Sequence, residues 1–292
     1  MQRMERYRPL TLLSDFGLSD CYVGIMKGAI AQVNAALTVI DLTHQIPPQD
    51  IALARFALMT AYPYFPAGTV HVAVVDPGVG GARRAIALAI GEDAAQPTAF
   101  LVGPDNGLFS GILMTQPVIA AVELTVNRYW RSPTPSATFH GRDIFAPVGA
   151  HLASGVPLTQ IGRSIAPETL VILDVPQCSA YEEPSPLTDQ VLDEGRTAHH
   201  CYKVTGCVQA IDHFGNLITN IPGAMVLEKR WSLSVNGATM PGKKTYSDRP
   251  PGALLAIVGS HGWVEIALNG GSAQARLKTA WGEQVFVMVE NF

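Results

Sequence analysis

Two hydrophobic rhythms divide this chain. Up to about residue 175, short runs that are apolar throughout alternate with stretches whose apolar positions fall three and four apart. "YRPLTLLSD" predicts a strand, and "DCYVGIMKGAIAQVNAAL" predicts a helix with Val23, Met26, Ile30, Val33 and Leu37 on one face. "LTVIDLT" reads as a second strand, and "PQDIALARFALMTAY" as a helix that opens on Pro and Asp. "TVHVAVVD", "RAIALAI", "AFLVGPD" and "PVIAAVELT" continue the strands, with "NGLFSGIL" and "RDIFAPVGAHLASG" as the helical pieces between and after them. Strands without a polar face must be covered on both sides, so this half predicts an α/β unit with a mostly parallel sheet.

The rhythm then breaks. "DVPQCSAYEEPSPLTDQVLDEGRTAHH" is polar and Pro-bearing and reads as an irregular linker. Beyond it, "CYKVTGCVQAID", "NLITNI", "WSLSVNG", "GALLAIVGS", "GWVEIAL" and "QVFVMVE" are strand-like and separated by Gly-containing turns. They predict a smaller antiparallel barrel-like unit. The expected organisation is an α/β unit over 1–175, a linker over 176–200 and a β unit over 201–292.

Composition narrows the function. Of the 292 residues 48% are hydrophobic and 15% charged, with a net charge of −4 and no block of Lys and Arg. Nucleic acid and anionic membrane are therefore poor partners. The start "MQRMERYRPLTLL" lacks an apolar run of leader length, and nowhere do eighteen apolar residues run together, which predicts a cytoplasmic protein. Cys21, Cys178, Cys201 and Cys207 lack the CxxC spacing. A metal site from His199, His200 and Cys201 is imaginable, but no second ligand pair follows at zinc spacing, and no metal is expected.

Asp15, Asp76 and Asp105 each close an apolar strand within two residues of Gly or Pro. In an open α/β sheet the carboxyl ends of strands line the ligand crevice, so these loop acids are site candidates, although aspartate also suits turns for its own backbone hydrogen bonds. "GVGGARR" has glycines but leads into a strand and lacks the GK[ST] ending, so it is not a phosphate loop. "SDFG" at 14–17 lies too early in the chain for the kinase triplet it resembles. His140, in "ATFHGRDIFAP", lies just before a predicted helix and titrates near neutrality; with an acid and an arginine nearby it becomes a candidate base.

Taken together, "LLSDFGLSDCYVGIMKG", "HVAVVDPGVGGARR", "LVGPDNG", "TFHGRDIFAP", "IDHFGNLITNI" and "SHGWVEIALNGGSA" resemble the S-adenosyl-L-methionine hydroxide adenosyltransferases, the water-using relatives of fluorinase and chlorinase. The resemblance runs in order along nearly the whole chain. It implies hydrolysis of S-adenosyl-L-methionine to adenosine and L-methionine, with that molecule as substrate and no cofactor, by a homotrimer that binds it between neighbouring subunits. It places the catalytic set on Asp76, Arg83 and His140, with Arg84 one residue away from a slip in register. Asp15 matches the acid that grips the ribose hydroxyls. Asp20 and Asp212 match acids near the methionine amino group, Ser260 a residue at the methionine carboxylate, and Phe214 and Asn216 the adenine side. The halide-using relatives carry tyrosine at the position of Asp76 and serine at that of Gly141, and lack Arg83. Their arginine after the serine is His261 here, which weakens the assignment of Ser260. Phe139, Phe214 and Trp263 are candidate pocket walls. The competing readings are a halogenase of the same fold and a non-catalytic sensor of adenosine or its sulfonium parent.

Overall fold

The computed structural model describes residues 7–183 and 201–290, and its contacts divide the chain into Met1–Leu173 and Asp174–Phe292. In the first unit the apolar runs become β1 (Leu10–Ser14), β2 (Val39–Thr43), β3 (Thr69–Val74), β4 (Ala85–Ile90), β5 (Ala99–Pro104), β6 (Val118–Glu123) and β7 (Arg163–Ser164). They form one sheet in the order β2-β1-β3-β5-β4-β6-β7. Strands β1, β3 and β5 are buried at every residue, as expected of strands covered on both faces. β2, β1, β3 and β5 run parallel, whereas β4 lies antiparallel to β5 and β6, and β7 to β6. The sheet is mixed because residues 91–98, joining β4 to β5, are too few for a crossover helix, which only a parallel neighbour requires.

Helices α1 (Tyr22–Val33), α2 (Ile51–Ala61), α3 (Ser110–Leu113) and α4 (Ala146–Ala153) cover the sheet. Successive strand residues point to opposite faces. Leu10, Leu12, Val70 and Val72 accordingly pack with Met26 and Ile30 of α1 and Val148 of α4, while Leu13, Ala73 and Val75 pack with Ala54 and Leu58 of α2. A Cβ on Gly149 would stand 2.4 Å from Val72 Cγ2, so that glycine lets α4 lie directly on β3. α1 stops before Leu37, because Asn34 is extended and its side-chain oxygen accepts from Ala36 N. The helix expected over 141–155 is in two parts, a π-helical turn at Gly141–Phe145 and then α4 with Pro147 in its first turn. Proline has no N–H to give to the preceding turn, and the wider turn accommodates that gap.

The second unit contains β8 (Ser179–Glu183), β9 (Cys201–Ile211), β10 (Leu217–Pro222), β11 (Arg230–Val235), β12 (Ala238–Pro241), β13 (Leu254–Val258), β14 (Trp263–Leu268), α5 (Ala273–Leu277) and β15 (Gln284–Glu290). The order is β12-β11-β15-β9-β10-β14-β13, antiparallel throughout, with β8 also on β9. A bridge from Gly242 to Ala256 brings the two edges together and nearly closes a barrel around Val204, Leu217, Leu233, Val264 and Val287. Ser179–Glu183, within the stretch read as irregular, is a strand, because it finds a partner edge on β9 that its local polarity does not reveal. His199 and His200 lie outside the described residues.

Candidate active site

Because β1 and β3 are parallel neighbours with Ser14 opposite Val74, the residues that follow them emerge side by side at the carboxyl edge of the sheet. Asp15 and Asp76 are those residues. The chain then turns through 77–82 and re-enters the sheet as β4, which places two arginines at the strand entrance. Their side chains diverge. Arg83 Nε donates to Asp76 Oδ1 at 2.8 Å and its Nη2 to Asp76 Oδ2, forming a two-pronged clamp. Arg84 Nε donates instead to Asp105 Oδ2 at 2.8 Å, and its Nη1 to Thr169 Oγ1 at 2.9 Å. Asp105 also accepts from Val171 N. It is thus a buried anchor for the segment at 167–171 and does not line the cavity described below.

Arg83 makes one more bond, from Nη2 to Nδ1 of His140 at 2.7 Å. Guanidinium has donors only, so Nδ1 of this imidazole is the acceptor and its proton resides on Nε2. Burial holds the His140 pKa below its usual value of 6.5, and the Arg83 charge adds to that effect, with Asp76 and Asp143 opposing it. At neutral pH His140 is therefore uncharged. The Asp76 and Arg83 side chains are only 5% and 11% exposed, so the ion pair is well shielded from water.

The segment that carries His140 is fixed by a residue the sequence reading passed over. Asp143, 1% exposed, accepts from Arg131 Nε at 2.6 Å, Arg142 Nε at 2.7 Å and Ser136 N at 2.8 Å. Arg142, Arg131 and the Ser136 amide, against the opposing cost of burial, hold its carboxyl well below the ordinary range. The loop from 131 to 139 is thereby pinned to the turn that starts after His140. Gly80 has φ +74°, and a Cβ there would lie 2.2 Å from Ala137 O, so the loop after Asp76 and the loop before His140 can touch only through glycine.

Between these loops lies a cavity of about 400 Å³ lined by Asp15, Asp76, His140 and Gly141 and walled by Phe16, Tyr22 and Phe139. Gln49 N donates to Asp15 Oδ2 at 2.8 Å, which orients that carboxylate. Asp20 is exposed and is not among the lining residues.

The remaining candidates lie in the second unit. Asp212 organises the turn between β9 and β10, accepting from Phe214 N at 2.9 Å, Asn216 N at 2.8 Å and Asn216 Nδ2 at 2.9 Å. Phe214 is 75% exposed and, with Asn216, Tyr246 and Leu268, lines a cavity of about 470 Å³. Trp263 is not part of that lining, and Ser260 sits exposed in the turn between β13 and β14. Buried Glu265, absent from the sequence reading, accepts from Tyr246 Oη at 2.6 Å and pairs with His261 Nε2 at 3.1 Å. Burial and then the Glu265 carboxylate push the Tyr246 hydroxyl well above its ordinary pKa. Among the described residues no three His, Cys, Asp or Glu side chains converge as metal ligands. No helix among them is long and apolar enough to cross a membrane.

Comparison with known proteins agrees along the chain. Residues 10–162 match the SAM hydroxide adenosyltransferase N-terminal domain and residues 206–286 the C-terminal domain of the same description. A protein of Salinispora arenicola named (R)-S-adenosyl-L-methionine hydrolase is 42% identical over 279 residues, covering 95% of this chain and 97% of its own. A fluorinase of Nocardia brasiliensis is 27% identical over 295 residues, covering 91% and 92%. A solved structure of a conserved protein from Thermotoga maritima superposes with a TM-score of 0.81 at 31% identity, covering 95% of this chain and 99% of its own.

Proposed function

The chain belongs to the SAM hydroxide adenosyltransferase family, and on that premise we propose that it hydrolyses S-adenosyl-L-methionine to adenosine and L-methionine. The observation that carries the reading is Arg83, which grips Asp76 and His140 together at the edge of one cavity. Sulfonium is already a good leaving group, so the work lies in placing a water molecule behind C5′, in line with the bond that breaks. In this geometry Nε2–H of neutral His140 is a donor and orients the water oxygen. Each oxygen of Asp76 keeps a lone pair beyond its bond to Arg83, and the proton lost by the water passes to that carboxylate. The water oxygen bonds to C5′, the C5′–S bond breaks, and methionine leaves with the electron pair as a neutral thioether. Asp15 is assigned to the ribose hydroxyls. S-adenosyl-L-methionine enters as substrate, and no step calls on a cofactor.

A second reading, halogenation, is disfavoured by the side chains themselves. Asp76 and Arg83 form an ion pair at the position where the resemblance gives the halide-using relatives a tyrosine and no arginine, and Gly141 stands where they carry serine; a carboxylate there repels an incoming anion. The lower identity to fluorinase points the same way.

The reading extends to assembly. A homotrimer acting in the cytoplasm, with substrate held between neighbouring subunits, gives Asp20, Asp212, Phe214, Asn216 and Ser260 their roles around methionine and adenine. Light scattering should return three times the 31.2 kDa chain mass. The reaction itself is tested by turnover in ¹⁸O-water. Label at the 5′ oxygen of adenosine is expected, and unlabelled adenosine or a halogenated product ends the hydrolase reading.

A further inference from the structure

Three aromatic rings meet at the cavity wall. Tyr22 stands edge-on to Phe139, with centroids 5.4 Å apart at 89°; Phe16 meets Phe139 at 5.6 Å and 81°, and Tyr22 at 5.9 Å. All three line the space that also holds Asp15, Asp76 and His140. Phe139 already carries the Arg142 guanidinium 5.1 Å from its centre, so this ring has one cation on it before any ligand arrives. Among the described residues no cation lies over the Tyr22 ring, which is 47% exposed and stands at the first position of α1.

The charges of the lining agree with the rings. Asp76 is neutralised by Arg83 and His140 is uncharged, which leaves Asp15 as the one uncompensated charge among the lining residues and makes the lining net negative. A space of about 400 Å³ with an aromatic wall and a net negative charge suits a cation better than a neutral molecule of the same shape.

We propose that Tyr22, backed by Phe16 and Phe139, is a specificity-determining residue that selects the sulfonium form of the ligand over the neutral thioether through a cation–π contact. The proposal rests on the hydrolase reading, because it presumes an adenosyl sulfonium in this cavity. In-line attack keeps the geometry close: sulfur lies one bond beyond C5′ on the side away from the water. Phe139 directly precedes His140 in the chain, so the aromatic wall begins where the water is held.

The test is the ratio of two affinities in the full-length protein. Binding of S-adenosyl-L-methionine and of S-adenosyl-L-homocysteine, its uncharged thioether, is measured by calorimetry in His140→Ala, which slows loss of the sulfonium, and in the same background with Tyr22→Leu or Tyr22→Phe added. Tyr22→Leu should weaken sulfonium binding by about three- to thirty-fold and leave thioether binding within about twofold, while Tyr22→Phe, which keeps the ring, restores the preference. Equal losses for both ligands, or no loss for either, overturn the proposal. Adenosine production by the unmodified enzyme is scored separately. Turnover without a changed ratio sinks the aromatic contact alone, and absence of turnover sinks the hydrolase reading.

Discussion

Arg83 reaches His140 Nδ1 at 2.7 Å while the same guanidinium clamps Asp76. One residue thus sets the tautomer of the imidazole and the orientation of the carboxylate. Lysine has a single ammonium and cannot serve both partners in a fixed plane. Arg83→Lys should lower kcat by about 10² or more, within the range general-base help supplies, with KM changed little. Steady-state adenosine release measures this, and a wild-type kcat would refute the joint role.

The titration of His140 has a definite sign. Its native pKa lies below 6.5, from burial first and then the Arg83 charge, so the imidazole is neutral at and above that pH and charges only on stronger acidification. Between the two values the unfolded chain binds a proton that the native protein lacks, and stability falls as pH falls. An NMR titration of the His140 ring should show a midpoint below 6.5 that rises toward it in Arg83→Met. An unmoved midpoint would remove the arginine from the explanation.

His71 makes the larger claim on acid stability. It lies in β3, 1% exposed, with Thr11 Oγ1 at 2.8 Å from its Nδ1, and burial pushes its pKa down to about 4. Its contribution is complete above pH 6.5 and is lost between 6.5 and 4, about 3 kcal/mol at ~1.4 kcal/mol per pH unit. Denaturant unfolding of His71→Leu across that interval should show a flatter pH dependence than the wild type. Parallel curves would contradict it.

Asp143→Asn leaves Arg131 and Arg142 without their carboxylate. Asp143 is buried, but Arg131 and Arg142 are 41% and 27% exposed and stay solvated without it, so the lost charge-assisted hydrogen bonds cost about 1–3 kcal/mol. Because the same bonds pin the loop before His140, kcat should fall further than KM changes in whatever protein remains folded. Unfolding midpoints and single-turnover rates read the two effects separately; unchanged stability would show that the clamp is idle.

At Gly141 an added Cβ would meet Met26 Sδ at 3.2 Å, Phe16 Cε2 at 3.3 Å and Phe139 Cε2 at 3.4 Å. Gly141→Ser must therefore displace the aromatic wall by a few tenths of an ångström, a strain of about 1–3 kcal/mol. We expect slower hydrolysis and no 5′-halogenated adenosine in high chloride or fluoride, because Asp76 and Arg83 remain. Chromatography of the products decides it, and any halogenated nucleoside would count against the ion pair as the discriminating feature.

Much of this was legible along the chain. Val23, Met26 and Ile30 announced α1, the apolar runs announced the strands, and Asp15 and Asp76 stood at strand ends where ligands collect. The pattern of residues is local, and so is the physics that turns it into helix and strand. What no local pattern carries is where Arg83 and Arg84 part company, one to Asp76 and the other to Asp105 and Thr169. The same holds for the antiparallel entry of β4, the strand at Ser179–Glu183, the service of Asp143 to His140, and the exposure of Asp20. Each depends on which distant segment supplies the partner: His140 lies 57 residues from the guanidinium that fixes its tautomer. A hydrogen bond is made or lost within a few tenths of an ångström, and only the packed sheet with its pinned loops sets distances between remote residues that finely.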